Sequence, residues 1–110
     1  MLNSCNFMGR LARDPQYFEG ENTNRAVFTL AVDRDRKNAE GEYDTDFLDF
    51  VVWGSSADFL MKYFHKGDMV VTTNARAQVR SYTDSEGVPH RRIEFVCDRI
   101  HFGQAKRKEE

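Results

Sequence analysis

The clearest hydrophobic pattern of the chain alternates with a period of two over residues 46–53. Its even positions hold three apolar side chains, Leu48, Phe50 and Val52. Because successive side chains of a strand point to opposite faces, a core behind the even positions would leave Phe47 and Trp53 pointing outward together. Two exposed rings are costly unless something stacks on them, and a stacked nucleobase contributes about 1–3 kcal/mol. The pattern alone equally permits rings packed under a loop or in a subunit contact.

The same periodicity predicts five strands, over residues 3–11, 25–34, 43–53, 69–82 and 90–102. Turn residues at 38–41 and 83–87 indicate two hairpins. Gly9 in the first strand indicates a bulge or a sharp bend. In the last strand three apolar residues, Ile93, Phe95 and Cys97, alternate with charged residues.

One segment, residues 56–66, has helical periodicity instead. Its apolar stripe follows the i, i+3, i+4, i+7 spacing and comprises Ala57, Leu60, Met61 and Phe64. Ser55 or Ser56 is the expected cap, and Gly67 occupies the stop position. We expect the stripe to close one end of a barrel. The element order, three strands, a helix and two strands, predicts an all-β fold, the five-stranded OB barrel, with one short helix between strands three and four. Such barrels bind oligonucleotides on a strand face, but a fold alone does not establish a function.

Composition limits the class of protein. The 110 residues, of which 40% are hydrophobic, predict one folded domain over 1–103 and a short disordered tail at 104–110. No stretch approaches the ~20 apolar residues of a membrane span, and no secretory signal is visible, so a cytoplasmic location is expected. Cys5 and Cys97 have no CxxC spacing and are assigned as reduced core cysteines. The histidines are scattered singly, so no metal site is predicted.

The charge distribution gives a weaker signal. A nucleic-acid binder is expected to present a basic surface, whereas the net charge is −2. Basic residues nevertheless cluster in three places: Arg34, Arg36 and Lys37, then Arg76 and Arg80, then Arg91 and Arg92. Three carboxylates oppose them, Asp44, Asp46 and Asp49. Because most such charge runs are simply solvated faces, charge alone does not decide the function.

A series of short motifs runs in order along nearly the whole chain. These motifs are Asn3, Gly9-Arg10-Leu11, Asp14-Pro15, Phe28-Thr29-Leu30-Ala31-Val32, Asp46-Phe47, Val51-Val52-Trp53-Gly54, Ala57, Lys66-Gly67, Arg80-Ser81-Tyr82, Glu94 and Val96. In order and spacing the chain resembles the bacterial-type single-stranded DNA-binding proteins. The resemblance implies an OB barrel, usually assembled as a homotetramer. It also implies binding of single-stranded DNA without sequence readout, which protects the strand during replication, recombination and repair.

The resemblance further implies which residues contact DNA. Three aromatic residues match positions that stack on bases, Phe47, Trp53 and Tyr82. Arg76 and Arg80 match basic positions near the DNA path, and the predicted contact set also includes Arg10, Arg34 and Arg36. Arginine suits this role because its guanidinium group both pairs with phosphate and stacks on rings. No catalysis and no cofactor are implied.

Several features depart from the family pattern. Arg36 stands where a further aromatic residue is usual, so we expect a weaker base platform there. Asp49 lies between Phe47 and Trp53, where it would either repel phosphate or pair with a neighbouring arginine. Residues 69–75 are about one residue longer than usual, which a bulge would absorb. The usual Gly-, Pro- and Gln-rich linker and acidic tip are missing, so the protein partners recruited by that tip are not expected.

Two other functions remain open at the level of sequence. A related OB protein with weak DNA affinity could be a primosome component or a protein-interaction module, which Arg36, Asp49 and the negative net charge favour. The carboxylates of Asp44, Asp46 and Asp49 could instead hold a metal in an enzyme. However, residues 44 and 46 share one strand face while residue 49 points to the other. Because no set of acid, base and nucleophile accompanies them, no enzymatic activity is predicted.

Overall fold

The computed structural model describes residues 1–103, so the predicted tail at 104–110 lies outside the described residues. The described part contains one helix and seven strands. In chain order they are β1 (Cys5–Leu11), β2 (Gln16–Phe18), β3 (Arg25–Lys37), β4 (Tyr43–Trp53), α1 (Ser55–Tyr63), β5 (Met69–Thr83), β6 (Pro89–Val96) and β7 (Arg99–Phe102). α1, the one helix of the described residues, is not long and apolar enough to cross a membrane.

Five of the strands close into a ring. The pairing order is β1, β3, β4, β6, β5, and β5 pairs back to β1. All of these pairs are antiparallel except β4 with β6, which run parallel. The predicted all-β OB barrel is therefore confirmed, with its helix between β4 and β5. β2 and β7 are short additions, to β3 and β5 respectively.

The barrel core forms behind the even positions of β4, as the alternation predicts. Phe50 and Val52 are fully buried there. The Phe50 ring stacks on Phe28 with centroids 5.1 Å apart and meets the edge of Phe7 at 5.4 Å. Such a buried side chain stabilises the fold by about 1.5–3 kcal/mol relative to leaving it exposed. The apolar face of α1 joins this core through Ala57 and Leu60, together with Phe64 directly after the helix.

The extra residue predicted in the segment 69–75 is absorbed by a bulge. Cys5 pairs with Ala75 and Phe7 with Thr72, so β5 advances three residues while β1 advances two. Asn74 adopts a positive φ of 56°, and its N–H donates to Asn6 Oδ1 at 2.9 Å. Of the bulge or sharp bend expected at Gly9, the bulge is not found there, since the register shift lies nearer the start of β1. Gly9 is required by a close approach, because an added Cβ would lie 2.7 Å from the Ala31 carbonyl oxygen.

The last predicted strand, 90–102, is interrupted at Cys97 and Asp98. Cys97 turns toward β4, and its N–H donates to Val51 O at 3.0 Å. On either side, β6 and β7 keep one register on β5, from Arg76 with Val96 to Thr73 with Arg99.

The apolar alternation of this strand does not bring Ile93 into the core, since its side chain is 58% exposed. At that point β5 and β6 project beyond the barrel as a two-stranded arm (residues 79–93). Ile93 therefore pairs only with the equally exposed Val79.

The predicted limits of the helix also need correction. No side chain caps it: Gly54 precedes the first turn with φ of 60°, and the Ser56 hydroxyl donates instead to Asp98 O at 2.7 Å. α1 ends at Tyr63 rather than at residue 66. Gly67 lies in the following turn with φ of 90°, where its N–H donates to Leu11 O. Gly67 thus connects the turn after α1 to the end of β1 and is not the residue at which the helix stops.

Both cysteines are free, as predicted. Cys97 is buried in the core, and Cys5 is only half-buried at the start of β1. Burial raises the pKa of the Cys97 thiol to about 12. At neutral pH this thiol is therefore protonated, which suits a core residue rather than a reactive one.

Candidate nucleic-acid interface

The odd positions of β4 and their strand neighbours form one barrel surface, which we call the outer face; of these odd positions only Val51 is buried. Phe47 is 66% exposed and Trp53 is 47% exposed. Between them Asp49 pairs with Thr29 on β3 and with Glu94 on β6, and paired residues share a sheet face. The outward orientation of Phe47 and Trp53 is thus confirmed.

A groove of about 400 Å³ crosses the outer face. It runs between the segment that follows β1 and the arm formed by β5 and β6. Its lining includes three arginines, three carboxylates and one exposed aromatic ring, contributed by Arg13, Arg80, Arg92, Asp14, Asp49, Glu94 and Tyr82. The groove therefore offers cations and a ring together, with acidic groups between them.

Asp49 is engaged on both of its oxygens. Thr29 Oγ1 donates to Asp49 Oδ1 at 2.8 Å, and Arg92 Nη2 lies 3.6 Å from Asp49 Oδ2. Arg13 Nη2 in turn donates to Thr29 Oγ1 at 3.1 Å. Of the two outcomes left open for Asp49, pairing with a neighbouring arginine is the one observed. The carboxylate contacts Arg92 directly and Arg13 only through Thr29, and its charge reduces the positive potential of the groove.

The other arginines near the outer face are also paired with acids. Arg80 Nη1 lies 3.4 Å from Glu94 Oε2, and Arg76 donates to both oxygens of Asp98 at 3.1 and 3.3 Å. The hydrogen bond to Asp98 raises the pKa of Arg76. Because these pairs are exposed, each contributes about 0–1 kcal/mol. An incoming phosphate can therefore exchange with the carboxylate at small cost.

Arg34 lies apart from the outer face. Its Nε and Nη2 atoms donate to the two oxygens of Asp46 at 3.1 Å. This bond raises the pKa of Arg34 and lowers that of Asp46. Asp46 lies on the same face of β4 as Leu48 and Phe50 and pairs with Val32 on β3. The ion pair is therefore on the face opposite Phe47.

The two remaining predicted arginines occupy different surroundings. Arg10 pairs in β1 with Ala31, itself the partner of Phe47, and its Nη1 donates to Gly67 O at 3.0 Å. Arg36 is exposed in the stretch of β3 where pairing with β4 shifts between Asp33 and Lys37. The structure thus brings Arg10, Arg76 and Arg80 toward the barrel surface near the rings, and leaves Arg36 in the hairpin that extends from β3 and β4.

Tyr82 lies at the far end of the groove, on the arm. It is the strand partner of His90, and the two rings stack with centroids 5.2 Å apart and planes 19° apart. The opposite side of the phenol ring is not covered by any ring of the described residues. Three aromatic surfaces are therefore spread over the outer face and the arm: Phe47, Trp53 and Tyr82.

Two groove arginines, Arg13 and Arg92, are missing from the predicted contact set. Arg92 could have been found from the sequence, because the turn at 83–87 predicts that it lies opposite Arg80 on the same strand face. Arg13 carried none. It follows the end of β1, where neither alternation nor a motif shows which way a side chain points.

The carboxylates considered as a metal site do not converge. Asp44 accepts a hydrogen bond from Asn38, Asp46 pairs with Arg34, and Asp49 binds Thr29. Within residues 1–103 no group of three acidic, histidine or cysteine side chains is arranged to hold a metal ion.

Comparison with known proteins identifies the family of the chain. The profile of the Single-strand binding protein family matches residues 2–103. The chain belongs to this family. The family is one of binding proteins, in line with the prediction that the chain is not an enzyme.

Two relatives illustrate the similarity. Single-stranded DNA-binding protein 1 of Staphylococcus aureus is 39% identical over 110 residues, which cover 96% of this chain and 64% of that protein. Single-stranded DNA-binding protein 1 of Clostridium acetobutylicum is 34% identical over 109 residues, which cover 97% of this chain and 98% of that protein. The chain thus spans less than two thirds of the first relative and nearly all of the second.

Proposed function

We propose that the chain binds single-stranded DNA without sequence specificity and protects it during replication, recombination and repair. The observation that carries this proposal is the outer face, where Phe47 and Trp53 are exposed on one barrel strand beside an arginine-lined groove. Both relatives described above are named for single-stranded DNA binding. Family membership and site geometry thus support the same ligand.

The spacing of the rings suits an extended strand of nucleic acid. Phe47 and Trp53 are six residues apart on β4, which corresponds to about 20 Å at about 3.3 Å per residue. That distance leaves room for more than one base. Single strands expose both faces of every base, so flat rings bind all sequences alike. Stacking at Phe47, Trp53 and Tyr82 therefore requires no sequence readout.

Phosphate contacts supply the second part of the proposal. Arg10, Arg76 and Arg80 are proposed to follow the backbone, and the geometry adds Arg13 and Arg92 in the groove. Phosphate binding releases counterions, so affinity should fall as salt concentration rises. Contacts from Arg34 and Arg36 stay predictions that apply to the hairpin of β3 and β4.

Assembly is part of the same proposal. A single barrel offers three aromatic platforms, which are too few to wrap a long strand tightly, so we propose a homo-oligomer, with the tetramer as the expected form. A cytoplasmic location, where such strands arise, completes the proposal. Sedimentation equilibrium at micromolar concentration tests the assembly, and a monomer mass would contradict it.

The decisive experiment is a titration of oligo(dT) while following the fluorescence of Trp53, the one tryptophan of the chain. Strong quenching by single strands, weaker at high salt and absent with duplex, is the expected result. Tyr63→Ala is a suitable control because Tyr63 is an exposed aromatic residue on α1, outside the outer face. Unchanged fluorescence together with no binding of a labelled oligonucleotide would refute the proposal and favour a protein-interaction module.

A further inference from the structure

The Tyr82 side chain on the arm is in contact with a second ring, that of His90. His90 faces it across the β5–β6 ladder, and the imidazole stacks nearly parallel on the phenol at 5.2 Å. One face of Tyr82 is therefore covered in the free protein. A base approaching the ring can stack only on the other face.

Asp84 in turn fixes the imidazole. His90 Nε2 lies 2.7 Å from Asp84 Oδ2. The second oxygen, Oδ1, accepts hydrogen bonds from the backbone N–H groups of Glu86 and Val88, both at 2.9 Å. The carboxylate is thus anchored to the turn that joins β5 to β6, and it holds the imidazole in one place. The bond to His90 and those to the backbone also lower the pKa of Asp84, so the carboxylate is ionised near neutral pH.

We propose that Asp84 and His90 are positioning residues for Tyr82. The anchored imidazole holds the phenol ring in one orientation and leaves its opposite face as the stacking surface for a nucleobase. This inference rests on the proposed function, because it assigns Tyr82 to base stacking. A side chain that is already ordered loses less conformational freedom when a base stacks on it. His90 therefore strengthens DNA binding through Tyr82 and not through a contact of its own.

A double-mutant cycle tests this role. The affinity for a labelled oligo(dT) is measured by anisotropy for the wild type, Tyr82→Ala, His90→Ala and the double variant. His90→Ala alone should weaken binding by about 2- to 10-fold, the scale of one side chain left to be ordered on binding. In the Tyr82→Ala background the same change should have no further effect. An equal loss in both backgrounds would show that His90 contacts the strand directly, and would overturn the proposal.

Conservative variants separate positioning from general damage to the arm. His90→Phe keeps a flat ring but loses the bond to Asp84, so it should recover part of the affinity lost in His90→Ala. His90→Gln keeps a polar group but has no ring, so it should bind no better than His90→Ala. His101→Ala is the control, because His101 is an exposed histidine on β7, outside the arm. Equal affinity for the Phe and Gln variants would contradict a role for the stacked ring.

The order of the measurements distinguishes this inference from the function on which it rests. Wild-type binding is measured first, and its absence would overturn the proposed function itself. If the wild type binds and Tyr82→Ala weakens binding, DNA binding is supported. The double-mutant cycle then tests only the positioning role of His90. Full affinity in Tyr82→Ala would remove Tyr82 as a platform and overturn the positioning role, while leaving Phe47 and Trp53 as platforms.

Discussion

The two faces of β4 carry the same class of side chain with opposite outcomes. Phe50 on the even face is 0% exposed, whereas Phe47, three residues earlier on the odd face, is 66% exposed. The even face meets the apolar residues of β3 and α1, while the odd face, apart from the buried Val51, meets solvent and the groove. The contrast shows that aromatic identity does not determine the role of a ring. Its parity in the strand, together with the closure of the barrel, decides whether it stabilises the fold or is free to bind.

The strongest test of this contrast is to truncate one ring on each face. Phe50→Ala should lower the free energy of unfolding by about 3–5 kcal/mol, because it empties a site packed by several aromatic rings. Phe47→Ala removes the same atoms from the solvent-facing side and should change stability by no more than about 0.5 kcal/mol. Urea unfolding followed by circular dichroism measures both. Similar losses in the two variants would mean that Phe47 belongs to the core.

Binding should show the reverse sensitivity. Trp53→Ala should weaken oligo(dT) binding by about 1–3 kcal/mol, since it deletes a stacking surface, while the melting temperature stays nearly unchanged. Anisotropy of a labelled oligonucleotide gives the affinity without relying on tryptophan emission. Trp53→Phe keeps a smaller ring and should lose less. A large drop in melting temperature at wild-type affinity would identify Trp53 as a structural residue.

Sequence reasoning succeeded where one local pattern determined the outcome. The strict alternation of 46–53 predicted the two faces of β4, because a one-residue error would reverse every side chain. The additional residue in 69–75 predicted a bulge, and the shift of pairing at Asn74 confirms one. The first signal lies within a single strand, whereas the second came from the resemblance, because residues 69–75 are longer only relative to the family pattern.

The failures share a different physical origin. Ile93 alternates with charged residues as Phe95 and Cys97 do, but it is exposed because the arm extends past the barrel there. Alternation alone does not show where a strand leaves a barrel. The Arg13–Thr29–Asp49 chain joins three separate elements. Ser56 could cap its own helix but bonds to Asp98 instead. Each of these outcomes depends on contacts with residues distant in sequence, which local patterns do not predict.

Arginines on the two faces should differ in their contribution to salt dependence. Arg80→Ala should weaken binding for all sequences and reduce the slope of log affinity against log salt by about one unit, if Arg80 contacts one phosphate. Arg34→Ala is the matched comparison, since Arg34 is also paired with a carboxylate but lies on the face opposite Phe47, and an unchanged slope would withdraw its predicted DNA contact. Titrations at three or more salt concentrations give both slopes. Equal reductions would place Arg34 on the DNA path as well.

Removing a carboxylate from the outer face should increase affinity. Asp49→Asn keeps a polar group beside Thr29 but removes the charge that faces Arg92. Because exposed ion pairs contribute about 0–1 kcal/mol, binding should tighten by up to about fivefold at low salt. Asp44→Asn removes the same charge from the hairpin beyond the barrel and should have less effect. Weaker binding in Asp49→Asn would show that Asp49 serves mainly to orient its two arginine neighbours.

The smallest expected effect concerns the Arg34–Asp46 pair, on the face opposite Phe47. Its hydrogen bond lowers the pKa of Asp46 in the folded protein, so the unfolded chain takes up this proton more readily. The pair therefore stabilises the fold above the unfolded pKa, about 3.9, and this contribution is lost as pH falls through the folded pKa. Asp46→Asn should be slightly less stable than the wild type in urea at pH 7, and the two midpoints should converge at strongly acidic pH. A difference that persists in acid would mean that Asp46 stabilises the hairpin by geometry rather than by charge.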